Sequence, residues 1–432
     1  MNDKLVAFDI GESQVHLVYY ANKQVKKAIC APLPDNLVAN GEILSMDAMA
    51  DFLKELAKQN SIPRAAAAVI LPDSLVFTRN VSVPLMTESQ LAYNLPYEFK
   101  DYLTHEKSDY FFDYAVQERV VVEPEEPAYT PEQPGFEQGA SQGAGQGAFQ
   151  PFQPAYQQGQ GAQGFGQGAA AGTFGQGAAA GTFGQGAAAG TFGTQAAAGT
   201  FGTQAAPAAQ TTQTAQRAEN EQPQAQELKL FACATLKETI AQYRGMFHRA
   251  GFKLKIAIPE EAAYAAILRA RIESGAQQAT GTDTCFVDIG FNAIRMLFYQ
   301  GDSFYSRRII NLGTKDVVLA IADARNVDAH MAYEYLRSNY EDVVNAPVAV
   351  DLYQRMAVEI MKAINFYNYN NREQMLERIY LCGGGAGIVP LQTAIDDHIE
   401  AHIRSAEELL PEKAQVENPL LFIKALGCAL QE

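Results

Sequence analysis

The sequence predicts a two-lobed α/β protein built on a duplicated strand–turn–strand unit, and three stretches carry that expectation. In the first, Leu5 to Phe8 form an apolar run that ends at Asp9 and Gly11, after which Val15, Leu17 and Tyr19 alternate with Gln14, His16 and Val18. That is the two-residue period of a pleated strand. The second, Cys285 to Phe298, superposes on the first without a gap. Asp9 falls on Asp288, Gly11 on Gly290, Val15 on Ile294, Leu17 on Met296 and Tyr19 on Phe298, and the basic residues His16 and Arg295 also coincide. In the third, a strand from Arg378 to Cys382 runs into Gly383, Gly384 and Gly385 before a helical pattern from Ile388.

Each turn is suited to a phosphate. A glycine lacks a Cβ, so its backbone approaches a ligand closely, and the successive N–H groups of a tight turn converge on an anion while a neighbouring Asp holds a hydrated cation. Glycines between a strand and a helix let a nucleotide come equally near.

The elements between these stretches follow in order. A strand is expected at Val25 to Ala31, and a helix from the N-cap Ser45, with Met49, Phe52, Leu53, Leu56 and Ala57 at helical spacing. Strands at Ala66 to Leu71 and Val76 to Val81 continue the alternation. Thr87 to Gln90 open an aromatic-rich helix interrupted by Pro96, and Tyr110 to Val122 alternate as a strand whose partner is Leu228 to Thr235. Helical spacing recurs over Lys237 to Ala250, then a strand at Phe252 to Ile258 and a helix at Glu260 to Ile272. Glu260 and Glu261 suit the dipole at that helix start. After the second hairpin come a strand at Phe304 to Ile309 and helices at Val317 to Ala324, Leu352 to Tyr367 and Leu420 to Leu430. The last of these carries no basic face, as a membrane-anchoring helix would.

Residues 123 to 226 break the pattern. An acidic, Pro-rich lead gives way to Gly, Ala, Gln and Phe, and a nine-residue unit beginning Phe165-Gly166-Gln167-Gly168 recurs from Phe174, Phe183 and, with Thr for Gly, Phe192. So few branched apolar or charged side chains cannot offset chain entropy, and the stretch is expected to be disordered. Its phenylalanines read either as weak self-association stickers or as part of a passive spacer.

The net charge of −16 argues against a nucleic-acid partner, since binding to a phosphate backbone needs clustered Lys and Arg. No apolar run approaches the roughly 20 residues of a spanning helix, and the expected location is cytoplasmic. Cys30, Cys233, Cys285, Cys382 and Cys428 stand singly and are expected as buried thiols. His398 and His402 would lie one helical turn apart, and a solvated helix face is the expected reading over a metal pair.

Two Asp-x-Gly hairpins followed by a strand–Gly-Gly-Gly–helix resemble the actin-like (ribonuclease H-like) ATPase superfamily. Within it the chain is similar to the PilM family of type IV pilus assembly proteins and to the FtsA division proteins. The resemblance covers residues 1 to about 122 and about 227 to 432, and includes Leu33 to Ile43, Ile258 to Tyr264 and Glu417 to Leu420. It implies a first actin-like half over 1–82, a small α+β inserted subdomain (1C) over 83–122 and 227–257, and a second half with closing elements over 258–432. It also implies ATP and Mg2+ between the lobes, with Asp9 and Asp288 at the metal. Gly11, Glu12, Ser13, His16, Gly290 and Asn292 would surround the phosphates, Gly313 the nucleotide or ribose, and Gly383, Gly384 and Gly385 the adenosine; Glu261 borders the same region. Tyr93, Tyr97, Phe99 and Tyr102 are expected either to line a groove for the cytoplasmic tail of a PilN-like membrane protein or to be core. A pilus motor ATPase and self-association are further partners implied by the resemblance.

The chain departs from the family pattern at three places. Glu12 brings a carboxylate to the phosphates, His16 replaces a common Lys with a side chain expected to be neutral at pH 7, and Phe291-Asn292-Ala293 lacks small hydroxyl residues. Slow hydrolysis at most is expected. The alternatives are an actin-fold sugar or acyl kinase, an activator ATPase, or an FtsA-like division protein.

Overall fold

A computed structural model describes residues 4–122, 225–276, 283–372, 376–401, 403–404, 406–409 and 416–431. The repeat-bearing stretch expected to be disordered, and His402, lie outside the described residues.

The first lobe is a five-stranded sheet of order β10-β6-β1-β2-β3, formed by β1 (Lys4–Ile10), β2 (Gln14–Ala21), β3 (Gln24–Pro32), β6 (Ala66–Leu71) and β10 (Lys253–Pro259). A two-residue hairpin of β4 (Val38–Ala39) and β5 (Glu42–Ile43) precedes α1 (Met46–Gln59), which Ser45 caps through its side chain. β1 pairs antiparallel with β2 and parallel with β6. The second lobe repeats the plan in the order β13-β12-β11-β14-β15, with β11 (Asp283–Ile289), β12 (Ile294–Gln300), β13 (Ser303–Ile310), β14 (Leu376–Cys382) and β15 (Ile403–Arg404). The two hairpins share a register: Asp9 faces His16 across the first and Asp288 faces Arg295 across the second. Gly11 N donates to Gln14 O at 2.9 Å, and Gly290 N to Ala293 O at 3.1 Å. The duplication read from the sequence is thus a duplication in space, and the fold is actin-like.

Between the lobes' first and later strands lies a three-stranded sheet of order β7-β9-β8, from β7 (Val76–Pro84), β8 (Tyr110–Val122) and β9 (Ala225–Leu236). α2 (Glu88–Glu98) covers it, held at its start by a Thr87–Gln90 capping box and running through Pro96 to end two residues later. The inserted sheet begins at Val76, earlier than position 83. The next helix, α3 (Lys237–Ala250), buries Tyr243, Met246 and Phe247 in the first lobe's core against α1, so it and β10 pack with the first half.

Two helices join the halves. α4 (Glu260–Glu273) and the last helix, given its number below, lie between the sheets. In the second lobe α5 (Thr314–Arg325), α6 (Ala329–Ser338), α7 (Pro347–Asn370) and α8 (Val389–Asp396) pack on the sheet around Val287, Met296, Ile321, Met356 and Ile360. α6 is unanticipated by the sequence reading. α8 stops at Asp396, so His398 follows the helix and its Nδ1 lies 2.8 Å from Ala394 O.

The expected helix over 420–430 is a 3-10 turn at Pro419–Leu421 followed by α9 (Ile423–Ala429), because Asn418 takes a positive φ of 51° and Pro419 restarts the chain. One face of the α4–α9 pair, with Ala263, Ala425, Cys428 and Ala429, packs on Leu5, Ala7 and Ala68 of the first sheet. The other, with Tyr264, Ile267, Ile423 and Leu426, packs on Phe286, Leu297 and Tyr299 of the second. Tyr264 stacks on Phe286 at 4.4 Å, worth about 1 kcal/mol beyond area burial. Cys285, Cys382 and Cys428 are buried as expected, but Cys30 is exposed, because β3 is an edge strand that shows one face to solvent.

Gly427 sets the distance between α4 and α9: a Cβ there would run into the Ala263 carbonyl. The substitution Gly427→Ala must therefore separate two packed helices. A loss of about 1–3 kcal/mol is expected in denaturant unfolding, with Gly245→Ala, at a helix position open to solvent space, as the tolerated control.

Candidate functional site

The carboxyl ends of the central strands of both sheets open into one cleft of about 950 Å³. That is where an α/β sheet places its ligands. Asp9 and Asp288, at the ends of β1 and β11, are 6% and 2% exposed. Two buried carboxylates in one pocket require a cation. Lys424 on α9 supplies it, with Nζ 2.9 Å from Asp288 Oδ2 and 3.5 Å from Asp9 Oδ1.

His16 meets Asp9 from the facing strand, Nδ1 to Oδ2 at 3.4 Å. Burial opposes a charge on either residue, yet Lys424 and His16 hold the Asp9 carboxyl at about 2. Burial would likewise lower His16, but the Asp9 carboxylate raises it to about 9. Although its Nε2 is buried without a hydrogen-bond partner, the pairing with Asp9 favours a protonated His16, where the sequence leads one to expect a neutral side chain. The hairpin register that puts it against a carboxylate is the reason. The same carboxylate environment raises the Lys424 ammonium against the effect of burial.

Glu12 does not stand as a bare charge facing the phosphates. Its Oε1 accepts from Gly41 N at 2.9 Å in the first lobe, and its Oε2 accepts from Asn292 Nδ2 in the second. Gln14 Nε2 makes a second crossing to the Tyr333 hydroxyl on α6 at 3.1 Å. These two bridges clasp the lobes at the cleft mouth. Arg295, in the cleft lining, reaches Asp73 at 3.3 Å, and Arg307 reaches Glu261 at 3.1 Å. Burial pushes Glu260 up to about 8 despite Lys424 and Arg295. Glu260 lines the cleft, whereas Glu261 turns to Thr78 and Arg307 beside it.

Of the residues expected at the nucleotide, Asp9, Gly11, Glu12, Ser13, His16, Asp288, Gly290, Asn292, Gly383 and Gly384 line this cleft. Gly313 and Gly385 do not. Gly313 N donates to Asp316 Oδ2 at 2.8 Å, and Thr314 N and Lys315 N donate to Gly290 O and Phe291 O, so the start of α5 spends its N–H groups on the hairpin. Gly385 is a packing glycine whose Cβ would strike Ile289. Gly383 takes φ +84° against Asp288, where a side chain would be both strained and in collision. Gly384 faces open space. The position between Asp9 and Asp288, expected for Mg2+, is held by the Lys424 ammonium, and a divalent ion held directly by both carboxylates does not fit beside it. Among the described residues no group of three or more His, Cys, Asp or Glu is placed to hold a metal.

Lys424 is the residue that sequence reasoning missed. Its signal was a lone cation inside the apolar run Leu420-Leu421-Phe422-Ile423-Lys424-Ala425-Leu426, which a buried helix tolerates only if the charge is paired.

A model of the type IV pilus assembly protein PilM matches residues 7–128 and 215–419. The chain belongs to the PilM family. Among solved structures it is similar to the PilM-PilN type IV pilus biogenesis complex, at 19% identity and a TM-score of 0.61, over 99% of this chain and 98% of that one. It is also similar to the ethanolamine utilization protein EutJ from Carboxydothermus hydrogenoformans, at 11% identity and TM-score 0.49, over 100% and 90% of the two chains. A third is the cytoplasmic domain of EpsL, an inner membrane component of the type II secretion system of Vibrio cholerae, at 9% identity and TM-score 0.31, over 74% and 76%. No curated protein matches it in sequence. At 19% identity the first of these likenesses reports the fold alone. In the PilM-family frame, the aromatics expected at a partner groove divide. Tyr93, Tyr97 and Tyr102 are 70%, 49% and 51% exposed, whereas Phe99, at 1%, is core. Phe99 closes α2 facing the inserted sheet and packs on Phe112 at 5.8 Å. Among the described residues no helix is long and apolar enough to cross a membrane.

The His16–Asp9 pair makes a pH prediction. A histidine raised from 6.5 to about 9 stabilises the fold fully below pH 6.5 and loses that contribution as pH rises through 9. Glu260, raised from 4.5 to about 8, loses stability in the same direction over 4.5 to 8. The difference between wild type and His16→Gln cancels the Glu260 part. It should be about 1–3 kcal/mol in favour of wild type near pH 6 and shrink toward zero above pH 9, measured by urea unfolding across that range.

Proposed function

We propose that this chain is a cytoplasmic scaffold of a type IV pilus or related secretion machine, with an adenine nucleotide in the interlobe cleft as a structural or switching ligand. The observation that carries the reading is the convergence of two register-matched Asp-x-Gly hairpins and the Gly383–Gly384 turn on one cleft bridged by Glu12 and Gln14. A nucleotide there would touch both lobes, and a ligand that favours one arrangement of the lobes over another acts as a switch. Gly384, with open space over it, and the turn glycines Gly11 and Gly290 would admit the phosphates and nucleoside. The clasp leaves Glu12 occupied, which fits a holding role better than rapid turnover.

The partner reading rests on the inserted subdomain. Tyr93 and Tyr97 lie 5.9 Å apart on α2, Lys107 Nζ sits 3.2 Å over the Tyr97 ring, and Arg79 lies over Tyr102 at 5.4 Å. Exposed rings ringed by cations suit an extended peptide with apolar anchors and an acidic residue. We infer a PilN-like cytoplasmic tail as that peptide, which would hold the chain at the inner face of the cytoplasmic membrane. A motor ATPase and copies of this chain are further candidate partners.

Calorimetric titration of the full-length protein with a PilN-like tail peptide, with and without ATP, tests both parts. Micromolar binding is expected, weakened about tenfold or more by combined Tyr93→Ala, Tyr97→Ala and Tyr102→Ala. An ATP-dependent change in peptide affinity is the expected mark of a switch. Absence of peptide binding in either state would remove the scaffold reading and favour the kinase alternative.

A further inference from the structure

Lys424 occupies an unusual place for a lysine. Its neighbours Ile423, Ala425, Leu426, Gly427, Cys428 and Ala429 are all buried, and α9 is wedged between the two sheets, so the backbone that carries it has no freedom to withdraw. Its ammonium spans the two lobes' aspartates, 2.9 Å from one and 3.5 Å from the other. His16 also meets Asp9, so the aspartates face two basic side chains, and Lys424 lies near the cleft carboxyl of Glu260 as well. A lysine ammonium carries three N–H groups. Beyond the two aspartates the ammonium borders the cleft that the Gly383–Gly384 turn also lines, where an anion would meet it. Lysine binds phosphate well as a point charge.

We propose that Lys424 is the resident cation of this cleft. It stands where a divalent metal would otherwise neutralise the two aspartates, so the chain binds nucleoside di- or triphosphate without needing magnesium. The ligand in this statement rests on the nucleotide reading above; the cation does not.

The test has two arms on the full-length protein. In the first, Mn2+ alone is titrated without nucleotide and followed by electron paramagnetic resonance, for wild type and for Lys424→Met. Wild type should show no Mn2+ at the aspartates, and the variant should gain a site at least about tenfold tighter. In the second, a fluorescent ATP analogue is titrated in EDTA and in excess Mg2+. Wild-type affinity should agree within about threefold between the two conditions, while Lys424→Met should weaken about tenfold in EDTA and recover with Mg2+. Lys424→Arg should keep the wild-type indifference to metal.

Stoichiometric Mn2+ on wild type at the aspartates, or a tenfold gain in its nucleotide affinity with Mg2+, would overturn the proposal. So would Mn2+ absent from both wild type and a folded Lys424→Met. If Lys424→Met does not fold, the wild-type measurements and Lys424→Arg still decide. Failure of wild type to bind the analogue in either condition sinks the nucleotide reading, while the Mn2+ arm continues to judge the lysine.

Discussion

Two buried carboxylates, one from each half of a duplicated protein, cannot face one another without a positive charge between them. The rest of the cleft is arranged around how that charge is supplied. It comes from Lys424, and the helix that delivers it is also the helix whose two faces close the two cores. Ionised Asp9 then favours a protonated His16 across the β1–β2 hairpin, and Gly383 must be glycine because Asp288 lies where its side chain would go. One ion triad therefore fixes a strand end in each lobe, the last helix, and the glycine turn.

Much of the fold was legible because its signals are local. An apolar strand ending in Asp-x-Gly and a two-residue alternation specify a hairpin from a dozen residues, and the ungapped second copy carries over even the register. The inserted sheet was legible for the same reason, from the alternation in Tyr110 to Val122 and its partner strand. What failed depends on distant packing. Lys424 reads as an ordinary residue until Asp9 and Asp288, far away in the chain, are seen against it. Phe99 and Tyr97 are indistinguishable as aromatics, and only the helix end that turns Phe99 under the sheet separates core from surface. Gly313 and Gly385 show the converse: glycines in the right pattern whose spare space is consumed by neighbouring backbone and side chains rather than left to a ligand. The charge of His16 lay within reach of the sequence, since a two-strand register places it opposite Asp9.

Membership of the PilM family gives these features a setting. The lobes are tied to each other in three ways: by arginine–carboxylate pairs, by the lysine, and by the Glu12 and Gln14 crossings at the mouth. The exposed tyrosines lie on and just after α2, which covers a small sheet that hydrogen-bonds to the second lobe through Asn80 and Gln117 to Phe304. Those bonds are a physical route by which a peptide on the insert and a ligand in the cleft could feel each other, through β13 and its neighbour β12.

The placement of α9 also governs the order in which the chain can consolidate. One face of β1 is covered by Phe422, Ala425 and Cys428, which lie far from it in the chain. Until α9 docks, apolar Leu5, Ala7 and Val18 stay uncovered, so local contacts alone cannot complete the first sheet's core. The first lobe is thus closed by a contact of long sequence separation, which bears on how fast the chain folds as well as on how stable it is.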